Sequence, residues 1–287
     1  MNTYYEQICN DYTAPRGSDE RCKVAVELGR LDLLIQLIND GCEYDKSLCA
    51  IAAENDYFNI LIWLRKPFSI NGTISKGNIG GACASHICQW DEETCMYTAW
   101  NGNIEMMKWL RDPNARSDGS ICQWNELTCM YAAWNGKLEM LKWLRDPNAR
   151  SDHSVCSWDE NTCRVATQYP EILKWLRDPN ARSDGSICQW NELTCEYAAM
   201  YGDIEMILWL RDPNARSDGS ICSWDEWTCT CATMYNKLEM LKLLRDSNVF
   251  KGNICPLNIK NCMYYAKKYK YVEIVDWLSS LLSREMC

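Results

Sequence analysis

Cysteine is the residue whose number and spacing most invite a chemical reading. The chain holds 19 of them in 287 residues. Six recur at Cys88, Cys122, Cys156, Cys188, Cys222 and Cys255, and each is followed seven residues later by a second, at Cys95, Cys129, Cys163, Cys195, Cys229 and Cys262. Thiolates could ligate zinc, which takes four nitrogen or sulfur donors in a tetrahedron, or could form a redox array. The spacing favours neither. There is no Cys-x2-Cys pair, and the histidines are His86 and His153 alone. Equivalent cysteines of successive units would stand ~8–10 Å apart, beyond the ~7 Å between Cα atoms that a disulfide tolerates. Cys229 and Cys231 form the one close pair in sequence. A free cysteine packs as a small buried hydrophobe, so core packing is the expected role, with metal binding or redox sensing as the alternative.

Other chemistry is thinner still. His86 lies in a glycine-rich stretch and His153 in a turn, so no Cys-His or Ser-His pair recurs or converges. Neither the P-loop pattern nor G-x-G-x-x-G is present. Glu105, Glu139, Glu171, Glu205 and Glu239 recur at one helix position and read as a solvated face pairing with nearby lysines. No catalytic residue, cofactor or metal site is expected, and the chain is read as a non-enzyme.

The elements that position these residues are repeats. ICQWNELTC at Ile121–Cys129 returns unchanged at Ile187–Cys195, and DPNARSD begins at Asp112, Asp146, Asp178 and Asp212. The opening cysteines are separated by 34, 34, 32, 34 and 33 residues. A fixed period of this kind signals one small unit stacked into an array. Within Asn125–Arg145, Asn125 or Thr128 can cap a first helix. Cys129, Ala132 and Ala133 form its small-residue face, and Gly136 stops it. Leu138, Leu141 and Leu144 then mark a second helix, flanked by Met140 and Trp143, with Glu139 and Lys142 facing out. The residue before Pro147 ends it. The arginines of the connecting loops, Arg116, Arg150, Arg182 and Arg216, are expected to neutralise Asp118, Asp152, Asp184 and Asp218.

These helices resemble ankyrin repeats. NELTCMYAAWNGKLEMLKWLR (Asn125–Arg145) carries the paired alanine, glycine turn and Leu-Glu-x-Leu-Lys-x-Leu of that family, and its AA-x-x-G-x-[IL]-E core recurs. The Trp-Asp/Asn-Glu-x-Thr-Cys variant is similar to ankyrin-like arrays of large DNA viruses and some algae. The family's Thr-Pro-Leu-His is absent: Thr128 and Cys129 stand at its Pro and Leu positions and Met130 at its His position. The implied fold is an all-α, ankyrin-like helix-turn-helix solenoid of about eight units. The units run 17–40, 41–66, 88–120, 121–154, 155–186, 187–220, 221–253 and 254–282, with an extension at 1–16, an inserted loop at 67–87 and a tail at 283–287. The unit holding Thr167-Gln168-Tyr169-Pro170 is two residues short, with Pro at the glycine turn, and a bend or shift is expected there.

The resemblance also implies a function: a non-catalytic scaffold that binds a protein or peptide through its concave face. In the family it resembles, the two residues before the glycine turn often touch partners. By position these are Trp100 and Asn101, Trp134 and Asn135, Tyr169, Met200 and Tyr201, and Met234 and Tyr235, with Glu54, Asn55 and Gln168 in the same row. They differ between near-copies and are rich in residue types enriched at interface cores. The other reading has the rings packed sideways as core. Charge narrows the partner. A net −9 opposes nucleic acid, which needs a basic face, and anionic membrane. No apolar run reaches the ~20 residues of a membrane span, and the start lacks a secretory h-region. A monomeric, cytoplasmic protein, in the host cytoplasm if viral, is expected.

Overall fold

The computed structural model describes residues 20–66, 87–116, 119–150, 152–182, 185–216 and 218–285. Among them every regular element is helical, sixteen α-helices with short 3-10 turns and no strand. The chain divides into two compact units between Cys156 and Ser157. The first holds α1 (Glu20–Glu27), α2 (Leu31–Asn39), α3 (Ser47–Glu54), α4 (Phe58–Leu64), α5 (Glu92–Asn101), α6 (Ile104–Arg111), α7 (Glu126–Trp134) and α8 (Leu138–Arg145). The second holds α9 (Glu160–Val165), α10 (Pro170–Arg177), α11 (Glu192–Tyr201), α12 (Ile204–Arg211), α13 (Glu226–Met234), α14 (Leu238–Leu244), α15 (Ile259–Lys268) and α16 (Val272–Glu285). Each repeat is therefore one helix pair. In each compact unit the first helices of successive pairs make the most extensive contacts, α5 on α7 and α11 on α13.

The pair α7–α8 shows how sequence produces this. Asn125 is extended and its side chain accepts the Leu127 N–H, which caps α7. Thr128, the other cap candidate, instead lies buried inside the helix. Thr128, Cys129, Ala132 and Ala133 are all 0% exposed, and their small side chains let neighbouring helices approach closely. Gly136 turns the chain at φ 71°, and the Lys137 N–H returns to the Ala132 carbonyl at 2.8 Å. In α8 the buried residues are Met140, Leu141 and Leu144, together with Arg145, whereas Leu138 is only half-buried. The stripe thus keeps Leu141 and Leu144 and replaces Leu138 with Met140 and Arg145. Glu139 pairs outward with Lys142 at 2.6 Å, as do Glu105 with Lys108 and Glu239 with Lys242 at 3.1 and 2.7 Å.

Glycine is required at the turn after α5 for two reasons. Gly102 has φ 78°, and a Cβ there would stand 2.7 Å from Lys137 Cδ of the next repeat. The shortened repeat solves the turn differently. Helix α9 stops at Val165, a 3-10 turn spans Ala166–Gln168, and Pro170 occupies the first turn of α10, where its missing N–H is no loss. The boundary at Cys156–Ser157 falls where this repeat begins. The extension at 1–16 and the insertion at 67–87, apart from Ile87, lie outside the described residues.

The loop reading needs correction. Arg116 donates to the carbonyls of Trp109 (2.5 Å), Asp112 (3.0 Å) and Ser120, and Arg150, Arg182 and Arg216 repeat the pattern. These guanidiniums close their own loops on backbone oxygens. The aspartates pair elsewhere: Asp152 with Arg111 at 3.6 Å and Asp218 with Arg177 at 3.0 Å, in each case the last residue of an earlier second helix. Asp118 and Asp184 lie outside the described residues. The helix end favours a cation, and the guanidinium's five donors reach several loop carbonyls at once.

Candidate functional site

The turn row is built by the ends of the first helices. In the first compact unit, the Trp100 ring meets Tyr131 at 5.6 Å and Trp134 at 6.1 Å between centroids, and Tyr131 meets Trp134 at 6.1 Å. Trp134 is 43% exposed. The asparagines beside them face another way. Asn101 Nδ2 donates to the Ala53 and Glu54 carbonyls, both at 2.8 Å, and Asn135 Nδ2 donates to the Trp100 carbonyl at 2.8 Å. Each therefore bonds the C-terminal carbonyls of the preceding first helix. Helix ends leave such carbonyls unpaired, so these amides staple repeats together, while beside them Trp134 is exposed and Trp100 half-buried.

In the second compact unit the row changes to tyrosine. Tyr201 is 38% and Tyr235 52% exposed. Tyr201 sits at 6.3 Å from Tyr197, and its phenol is pushed upward by burial, with Tyr197, Tyr235 and Tyr169 adding to the effect. Met200 and Met234 are half-buried beneath, and the Met234 carbonyl accepts the Tyr271 hydroxyl at 3.3 Å. Tyr169 is half-buried at the shortened turn. The structure thus gathers Tyr169, Tyr201 and Tyr235 into one neighbourhood.

Several residues of this surface escaped the sequence reading. Tyr131 and Tyr197 complete the ring clusters. Arg164 lies 4.8 Å over the Tyr197 ring and donates to its hydroxyl at 3.0 Å. Glu196 stands beside it, and burial, then Asp225 and Glu192, raise its carboxyl to about 7. The Cys231 thiol points at Glu196 Oε2 from 4.0 Å, and burial pushes that thiol up to about 12. One signal was legible. After the identical ICQWNELTC, the first residue to differ is Met130 in one copy and Glu196 in the other.

The cysteines are closer than their spacing implied. The second cysteine of one repeat meets the opening cysteine of the next: Cys49 with Cys88, Cys95 with Cys122, Cys163 with Cys188, Cys195 with Cys222, and Cys229 with Cys255. Cys229–Cys231 is therefore not the one close pair. Opening thiols also donate to the carbonyl of the preceding repeat's cap residue, Cys122 to Asp91 at 3.1 Å and Cys222 to Asn191 at 3.2 Å. Burial holds the Cys95, Cys163 and Cys195 thiols far above their ordinary range, which favours the unreactive protonated form. Cys42 departs from this: a hydrogen bond with Cys22 brings it down to about 7 despite burial, with Arg21 assisting. Among the described residues, no group of three His, Cys, Asp or Glu side chains could hold a metal ion.

A second recess lies between the connecting loops. In the first compact unit it has a volume of about 690 Å³ and is lined by Trp109, Pro113, Ile121, Trp143 and Arg150, among others. Smaller ones recur at Trp209–Pro213 with Phe250 and at Trp175–Pro179 with Trp209. Floor and wall come from successive repeats, so these clefts exist only in the stack. They are open, shallow in chemistry and suited to noncovalent contact. No helix among the described residues is long and apolar enough to cross a membrane. No protein-family model matches the chain, and no curated protein matches it.

Proposed function

We propose that this chain is an ankyrin-like repeat array, a non-catalytic scaffold that binds a protein partner through the aromatic turn row. The carrying observation is the contiguous cluster of Trp100, Tyr131 and Trp134, with its counterpart at Tyr169, Tyr201 and Tyr235. Partly exposed rings at the tips of rigid helices present large area at low entropic cost, and soluble surfaces rarely expose such clusters without use. The resemblance of Asn125–Arg145 to ankyrin repeats supports the same reading, as does the helix-pair architecture. On this proposal the protein acts as a monomer in the cytoplasm, of a virus-infected host if viral, and needs no cofactor.

The test compares affinity capture and mass spectrometry for the natural chain and for Trp134→Ala/Tyr201→Ala/Tyr235→Ala. Loss of one reproducible partner with an unchanged thermal midpoint supports the row. Equal capture by both chains sinks it. The rival role, metal binding or redox sensing by cysteine, is opposed by the burial that keeps the inter-repeat thiols protonated.

A further inference from the structure

The charge of this chain is unevenly distributed. Residues 251–271 hold Lys251, Lys260, Lys267, Lys268 and Lys270 and no acid, in a protein of net charge −9. All five lysines are exposed. Lys260, Tyr264, Lys267 and Lys268 follow one another at four-, three- and four-residue steps from Lys260 and Tyr264, so they share one face of α15. Tyr264 is 60% and Tyr269 42% exposed. The Lys268 ammonium stands 5.8 Å from the Tyr264 centroid and 5.5 Å from that of Tyr269. The rings continue as a chain: Tyr264 to Tyr265 at 5.2 Å, Tyr265 to Tyr269 at 6.3 Å with planes 15° apart, and Tyr269 to Tyr271 at 5.8 Å. Glu273 and Asp276, exposed on α16, are the first acids beyond the run. Glu226 is engaged with the Asn258 side chain at the helix's other end, at 3.3 Å.

We propose that this face of α15 binds single-stranded nucleic acid. Lysines spaced along a helix meet phosphates, and exposed rings between them accept unstacked bases, the combination by which sequence-tolerant single-strand binding works. Solubility alone explains the lysines but not tyrosines left open among them. A duplex is disfavoured because its bases are already stacked. The whole-chain charge argument against nucleic acid fails here because screening limits each charge to ~10 Å, so a phosphate on α15 meets five local lysines against Glu226, Glu273 and Asp276 rather than the net charge of the chain. This site is independent of the aromatic turn row.

Fluorescence anisotropy with labelled oligo-dT and oligo-U of about 20 nucleotides tests it on the full chain. Neutralising about four phosphates, binding should weaken roughly fifty-fold between about 50 and about 200 mM salt. Lys260→Gln/Lys267→Gln/Lys268→Gln should reduce the slope of log affinity against log salt by about 2. Tyr264→Ala should weaken binding by about ten-fold and Tyr264→Phe should restore it, because stacking needs the ring and not the hydroxyl. Circular dichroism confirms that each variant is folded. No binding at the lower salt overturns the proposal. So does equal displacement by a polyglutamate peptide with no effect of Tyr264→Ala, which would make an acidic polypeptide the occupant.

Discussion

The Arg111 guanidinium lies 3.9 Å above the Trp124 ring of the next repeat and donates from Nη1 to the Cys122 carbonyl at 2.7 Å. The same pairing recurs at Arg65 with Trp90, Arg177 with Trp190 and Arg211 with Trp224. In these four repeats a cation at the end of the second helix, buried for Arg65, Arg111 and Arg177 and half-buried for Arg211, closes over the following repeat's tryptophan. The interaction satisfies a carbonyl, stacks two flat groups and couples adjacent units, which is what an array needs when no unit can stand alone.

Arg111→Ala should accordingly destabilise the protein by about 2–4 kcal/mol, since it leaves the Cys122 carbonyl only the weak Cys95 thiol as donor and removes the stack. Arg111→Lys should recover little, because an ammonium cannot lie flat on the indole while bonding sideways. Chemical denaturation of both variants checks this; a lysine variant as stable as the natural chain refutes the stacking account.

The hydroxyls of Thr94, Thr128, Thr162, Thr194 and Thr228 are buried and have no hydrogen-bond partner. Thr128→Val keeps the shape and removes an unpaired hydroxyl, and should raise stability by roughly 1 kcal/mol. A lowered thermal midpoint would mean that the hydroxyl has a partner.

Asn101 and Trp134 are neighbours in the same row with opposite roles. Asn101→Ala should cost about 1 kcal/mol of stability, having lost two bonds to helix-end carbonyls. Trp134→Ala should cost less than a buried aromatic truncation, which removes ~3–5 kcal/mol, and should act on partner binding instead. Thermal melts of the two single variants separate staple from surface, and a loss of ~3–5 kcal/mol for Trp134→Ala would place that ring in the core.

Glu196 gives the second compact unit a pH dependence. Burial raises its carboxyl from the ordinary 4.5 to about 7. The folded state thus holds a proton the unfolded state has lost, and stability falls as pH rises from 4.5 to about 7. Glu196→Gln should flatten that decline and raise the melting temperature at pH 8, with little change at pH 4. Melting temperatures across that range decide it; an unchanged slope in the variant would show that another group titrates.

Thiol labelling should follow environment rather than number. Cys42, brought to about 7 by Cys22, should be alkylated in the native protein at pH 8 well before Cys95 or Cys195, whose burial favours the thiol. Peptide mapping after brief iodoacetamide treatment reads the order. Simultaneous modification of all three would show that the array opens globally first.

The sequence by itself determined the repeat, the helix pair and its punctuation, because those signals are local. Asn125 caps through its own second neighbour, Gly136 turns through its own φ, and Pro170 ends what precedes it wherever it stands. Tertiary structure decided everything that depends on the adjacent copy. Asn101 and Trp100 occupy consecutive positions with equal claim to a partner, and only the carbonyls of α3 direct the amide inward. Cys95 meets Cys122, which is not its equivalent, since stacking offsets one repeat against the next and brings unlike positions together. Arg111 reads as an ordinary charged helix end until Trp124 is laid across it. A periodic sequence states each unit completely and says nothing about register between units, and the packing of small side chains on α5 and α7 sets that register.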